Sequence, residues 1–325
     1  MKSFRLAALF SLLFVHSLIA GSATWSANPA NSDWSTAANW MPNTVPNGRG
    51  EVANFATSAQ TAVSLSTYVK VDEVHFATTS SPFTITAEAN TQLTFTGAGI
   101  VNDSGETQHF VNAAAEGAIG CINFAASASA GENVSFLCQG GMKTFVLGGC
   151  MFFTEASDAG TASFTVNGGV ADGARGAYLD FSDTASAAAG TFVVNGSMPD
   201  AIGGGFINFL DTATAANATV EINGAPTPGS GQAFLQFFEE STLGEATIVV
   251  NGGLTPGAEG GLVKMWGQST GPGARVELHG NGPLTCRPTT IARSTWVVLM
   301  ERVSSHSGEP TSLLVAATLT VSSRE

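Results

Sequence analysis

Charge is what this sequence has least of. Only 11% of its 325 residues are Asp, Glu, Lys or Arg, and 12 basic side chains face 25 acidic ones. A net charge of −13 with no basic cluster repels nucleic acid and anionic membrane surfaces, so neither is an expected partner. Cysteine is scarcer still. Four residues are too few for a disulfide-built scaffold, although an exported chain can pair them. The five histidines, at 16, 75, 109, 279 and 306, show no metal-ligand spacing. The glycine-rich GAIG and GGG stretches do not lie between a strand and a helix, so they make no phosphate cradle.

Long apolar runs are also missing, with one exception at the start. Lys2 and Arg5 precede an almost unbroken apolar run, Leu6–Ala20, which ends in the small residues Gly21, Ser22 and Ala23. That order predicts a cleaved export signal over residues 1–23. The rival reading is a membrane anchor, but the run is shorter than the ~20 residues that span a bilayer. No transmembrane segment is expected after cleavage. Loss of Lys2 and Arg5 leaves 10 basic residues against 25 acidic, a net charge of about −15.

What the chain does have is a repeat. TASFTVNGG at 161–169 is echoed by VVNG at 193–196, EING at 221–224 and VVNG at 249–252. The alternating apolar pair Phe164/Val166 recurs every 28 residues, as Phe136/Cys138, Phe192/Val194, Val220/Ile222, Ile248/Val250 and Val276/Leu278. A second pair keeps the same period: Met151/Phe153, Leu179/Phe181, Ile207/Phe209, Leu235/Phe237 and Val263/Met265. Ile122/Phe124 joins them if one residue was inserted near Glu132. A spacing of i, i+2 is a strand period, so each unit holds at least two short strands with one buried face.

Such a unit cannot bury itself, because each strand needs a neighbour above and below. Stacking of equivalent strands in parallel, at roughly 4.8 Å per coil, solves this. Propeller blades are longer, and the Leu frame of leucine-rich repeats is absent. Crossover handedness favours a right-handed coil. The expected fold is therefore all-β, a right-handed single-stranded parallel β-helix with about 28 residues per coil over residues 116–284. Asn167, Asn195, Asn223 and Asn251 fall at one corner of successive coils, where their amides can form a ladder. Glycosylation is a competing role for Asn195 and Asn217.

The flanks are less regular. Residues 24–115 open on TWSANPANSDWSTAANWMPNTVPNG, with Trp25, Trp34 and Trp40 among turn residues, and continue as irregular first coils. The tryptophans either close the end of the core or form a sugar-stacking platform. After Leu284 the period vanishes, and residues 285–325 are expected to be either a divergent cap or a foreign end.

The Trp segment, then EVANFATSAQTAVSLS, FTITAEANTQLTFTGAGIVNDSG and units such as FLDTATAANATVEINGA resemble bacterial secreted β-solenoid proteins with autotransporter-type β-strand repeats. The likeness covers roughly residues 24–284. It implies export and a structural or adhesive role outside the cell or on its surface, with no catalytic residues to carry over. The membrane barrel of an autotransporter has no counterpart in the pattern of this chain.

Two constellations carry chemistry on spacing alone. Glu155, Asp183, Asp211 and Glu239 stand 28 residues apart, so a solenoid stacks four carboxylates along one edge. Oxygen-only ligands suit calcium, which makes this edge the candidate metal site, against the alternative of a solvated acidic edge. No cofactor is otherwise required. Asp180, Asn208, Gln236 and Lys264 form an outward row, in which Lys264, with Arg175, is the candidate base of a polysaccharide lyase. The two basic residues lie three coils apart, which suits cooperation poorly.

Cys121 and Cys150 fall at equivalent positions of adjacent coils, a candidate disulfide, whereas Cys138 replaces Val in the core. The expected function is an extracellular, non-catalytic structural or adhesive β-helix. Its rivals are a lyase-like enzyme and a glycan-binding module built on the Trp segment. Expected partners are extracellular glycans, other surface proteins, or further copies of the chain joined end to end.

Overall fold

The computed structural model describes residues 21–115, 117–271, 273–280, 295–301 and 314–320. All but the last three residues of the expected export signal lie outside this range, as does much of the tail after Leu284.

The chain winds as a parallel β-solenoid of about nine turns. Each regular coil contributes one four-residue strand to each of two long sheets, as in Tyr178–Phe181 and Thr191–Val194. Side chains alternate: Leu179, Phe181, Phe192 and Val194 are buried, while their neighbours face out. The register follows the repeat. Ile122, Met151, Leu179, Ile207, Leu235 and Val263 lie side by side in the first sheet. Phe136, Phe164, Phe192, Val220, Ile248 and Val276 do so in the second. A third, narrower side is a row of single-residue bridges through Gly99, Ser129, Asp158, Ser186, Thr214, Thr242 and Thr270.

The core consists of stacked rings. Phe124, Phe153, Phe181, Phe209 and Phe237 form one column, with centroids 4.7 to 4.8 Å apart and planes within 10° of parallel. Phe136, Phe164 and Phe192 form a second, at 4.9 and 4.6 Å. The columns meet edge to face, as at Phe181 and Phe192, 77° apart in plane. Offset stacking along the axis and edge contacts across it are the arrangements that the ring quadrupole favours.

The glycines that follow Asn167, Asn195 and Asn223 are required by the distance between coils. A Cβ on Gly196 would lie 2.5 Å from the carbonyl oxygen of Gly224, and one on Gly168 would lie 2.5 Å from Gly196. Any side chain at this corner would force the coils apart.

Both sheets continue without a break into residues 24–115, where the 28-residue period is lost. Val52–Phe55 pairs with Val69–Phe76 from Val52 opposite Glu73, and Ala62–Leu65 pairs with Thr84–Ala87 from Ala62 opposite Thr84. These early coils are shorter than the later ones. Ala23 is buried and sits beside Ala53 in the strand Ala23–Trp25, so the folded unit includes the last residue of the expected signal.

The two ends differ. At the N-terminal end Trp40–Met41 adds antiparallel to Ala23–Trp25, and Asp33 bridges Ser64, so both sheet edges are covered. Met41-Pro42 is a cis peptide. At the other end Thr295–Glu301 extends the second sheet in parallel, and Leu314–Thr320 pairs antiparallel with it. These parts of the tail thus add strands to the second sheet.

Candidate functional site

The four stacked carboxylates lie where the first sheet turns toward the narrow side. Glu155, Asp183, Asp211 and Glu239 all adopt left-handed backbone angles, with φ between 53° and 59°. Asp tolerates that conformation better than most residues. Each carboxylate but the first reaches back along the axis. The N–H of Glu155 donates to Asp183 Oδ2 (2.9 Å), that of Asp183 to Asp211 Oδ2 (2.9 Å), and that of Asp211 to Glu239 Oε2 (2.5 Å). A carboxylate in the next coil thus accepts the amide of the corner residue. Among the described residues no group of three or more His, Cys, Asp or Glu converges to hold a metal ion.

The Asn corner is a ladder. Asn195 Nδ2 donates to Asn167 Oδ1 (2.9 Å), Asn223 Nδ2 to Asn195 Oδ1 (2.9 Å), and Asn251 Nδ2 to Asn223 Oδ1 (2.7 Å). Each side chain is half-buried between coils; Asn195 and Asn223 each use one donor and one acceptor within the stack, while Asn167 only accepts and Asn251 only donates.

On the outer face of the first sheet, Asn208 Nδ2 donates to Asp180 Oδ1 (2.8 Å) and Gln236 Nε2 to Asn208 Oδ1 (2.9 Å). Burial pushes the Asp180 carboxyl up to about 6, against the opposing pull of the Asn208 bond. Tyr178 beside it is raised in the same way, by burial first and then by the Asp180 charge. Lys264 ends the row with its Nζ 4.2 Å from the Phe234 ring centroid, and desolvation lowers its pKa. Among the described residues Lys264 forms no ion pair, and Arg175 lies exposed on a loop between the sheets. Lys264 thus lies on a strand of the first sheet and Arg175 on a loop, on different elements of the coil. Beside this row Tyr178 and Phe206 stack at 5.4 Å and 9°.

The three N-terminal tryptophans are inside. Trp25, Trp34 and Trp40 are 0–2% exposed and pack on one another and on Phe55. Their indole N–H groups donate to the carbonyls of Gln60, Pro46 and Trp34, at 3.1, 3.0 and 2.6 Å. Buried Asn39 organises the turn above them, accepting from the Ala30 amide and donating to Asn31 Oδ1 and the Asp33 carbonyl. None of these three rings has a face open to a sugar, and of the two expected roles they take that of lining the end of the core.

Cys121 and Cys150 stand directly opposite in adjacent strands, Cα atoms 4.6 Å apart, and form a disulfide. Cys138 is a free, fully buried thiol whose pKa burial pushes up to about 12.

Two features escaped the reading of the sequence. Gly-x-Ser-x-Gly occurs once, at 267–271, but Ser269 is buried in the turn after Leu262–Met265, equivalent to buried Ser157 and Ser241, and not on a strand-to-helix elbow. The second is a row of apolar loop residues at the coil period, exposed Met142, Val170, Met198 and Leu254 with half-buried Pro226. The same 28-residue step reveals it, but only when loop positions are aligned as well as strands.

No family model matches the chain, and comparison with curated proteins and with solved structures returned no match.

Proposed function

We propose that this chain is an exported structural or adhesive β-helix that works outside the cell without catalytic activity. The observation that carries this reading is the use made of the polar side chains. Those best placed for chemistry, the acidic corner and the Asp180–Asn208–Gln236 row, are bonded from coil to coil along the axis. Groups engaged in this way stiffen a rod. The buried tryptophans remove the aromatic platform that a glycan-binding module would need. Export rests on the charged and apolar pattern of residues 1–23, and the role itself on the resemblance to secreted β-solenoid proteins. Fold alone decides nothing here, since solenoids host enzymes and scaffolds alike.

The test is a product assay of the purified chain on acidic and neutral polysaccharides, with calcium and then with a chelator. The expected result is no product from any substrate. Calcium-dependent release of unsaturated oligosaccharides would overturn the reading and direct mutagenesis to Lys264 and the carboxylate edge.

A further inference from the structure

The loops that lead from the second sheet back to the first leave a row of apolar side chains in water. Met142 is 50% exposed, Val170 48%, Met198 54% and Leu254 77%, with half-buried Pro226 completing the row. Phe145 at 70% and Ile202 at 50% widen it. Six of the eight large exposed hydrophobic residues among those described thus fall on these loops. Single exposed apolar residues need no explanation, but a contiguous row does.

The row is held straight by the backbone. The N–H of Val170 donates to Gly141 O (2.9 Å), that of Met198 to Gly169 O (2.8 Å), and that of Leu254 to Ala225 O (3.0 Å). The apolar side chains therefore repeat at the rise of the sheets, roughly 4.8 Å per coil. A second copy of the chain has the same rise, so its row matches this one along its whole length.

Charge decides the direction. Basic Lys143 and Arg175 sit on the first two loops, with Asp172 beside Arg175, and acidic Asp200 and Glu259 sit on later ones; all are exposed. A parallel copy would set like charges against each other. A copy turned end for end over the full row sets Lys143 opposite its Glu259 on both sides of the axis, with Arg175 opposite the uncharged loop 223–233 and only Asp200 near the axis facing its own copy. We infer that this row is the interface of an antiparallel homodimer, with a twofold axis crossing the loops. The pairing is lateral, unlike the end-to-end association expected from the sequence, and it does not depend on where the protein works.

Sedimentation equilibrium of the purified chain tests this, with circular dichroism as the check on folding. The wild type is expected to be a dimer at concentrations on the order of 10 µM. Met198→Asp with Leu254→Asp should weaken it at least about tenfold and leave the β spectrum unchanged. Lys143→Glu should also weaken it, and adding Glu259→Lys should restore it, because the reversed charges again oppose. A wild type that stays monomeric at ~100 µM, a dimer indifferent to the aspartates, or a charge reversal without recovery would each overturn the inference. So would a monomer that binds neutral lipid vesicles through Met198 and Leu254.

Discussion

The carboxylate of Asp211 accepts a 2.9 Å hydrogen bond from the backbone N–H of Asp183, one coil earlier, where the chain is left-handed. Asp211→Ala removes that acceptor and places a methyl group at φ 53°, so it should cost about 1–2 kcal/mol. Asp211→Asn keeps an acceptor and tolerates the backbone, and should cost much less. Thermal unfolding of both variants with calcium and with a chelator separates the two roles of this edge. A ladder predicts no calcium effect on any of the three proteins. A calcium site predicts a calcium-dependent rise in Tm for the wild type that both variants lose.

Phe209 is 1% exposed and stacked between Phe181 and Phe237, at 4.7 and 4.8 Å. Its neighbours are fixed by strand pairing on both sides and cannot collapse into the space left by truncation. Phe209→Ala should therefore cost roughly 3–5 kcal/mol in urea unfolding. An unchanged midpoint would mean that this ring is not part of the core.

Asp180 carries the clearest pH dependence. Its ordinary value of 3.8 is raised to about 6 in the folded chain by burial, so ionisation opposes folding. The stability from the neutral carboxyl is complete below pH 3.8 and is lost as pH rises through 6. Asp180→Asn keeps an acceptor for Asn208 and carries no charge. It should be roughly 2–3 kcal/mol more stable than the wild type at pH 8, and the difference should vanish near pH 4. Parallel Tm curves across this range would show that Asp180 is solvated.

One corner column mixes residue types at the same backbone angle. Ala188 and Ala216 have φ of 48° and 47°, while Gly160 and Gly244 have 57° and 59°. Ala216→Gly relieves the left-handed conformation and should stabilise by about 1 kcal/mol. Gly244→Ala does the opposite, and its Cβ would also lie 2.8 Å from the carbonyl of Ala216. Urea unfolding of the pair should show shifts of opposite sign, the loss in Gly244→Ala being the larger.

The solenoid was legible because the later coils have equal length. Phe164, Phe192 and Val220 recur at one spacing since each must lie over the last, so the period records the register directly. In the first coils the strand pairs are still present, but loops of unequal length separate them, as at Val52 opposite Glu73 and Ala62 opposite Thr84. There the alternation of single strands was readable and their pairing was not.

The sequence by itself determined the architecture, the inward residues and the stacking of like side chains, because in a solenoid the distance along the chain becomes position along the axis. Only the tertiary structure decided what those rows touch. Whether Glu155, Asp183, Asp211 and Glu239 face a cation or a backbone amide depends on the left-handed corner that puts each N–H within 2.9 Å or less of the next carboxylate. Whether three tryptophans meet a sugar or a core depends on how the first turn folds over Phe55. Spacing shows which residues align, but hydrogen bonding and burial depend on distances between segments that no period records.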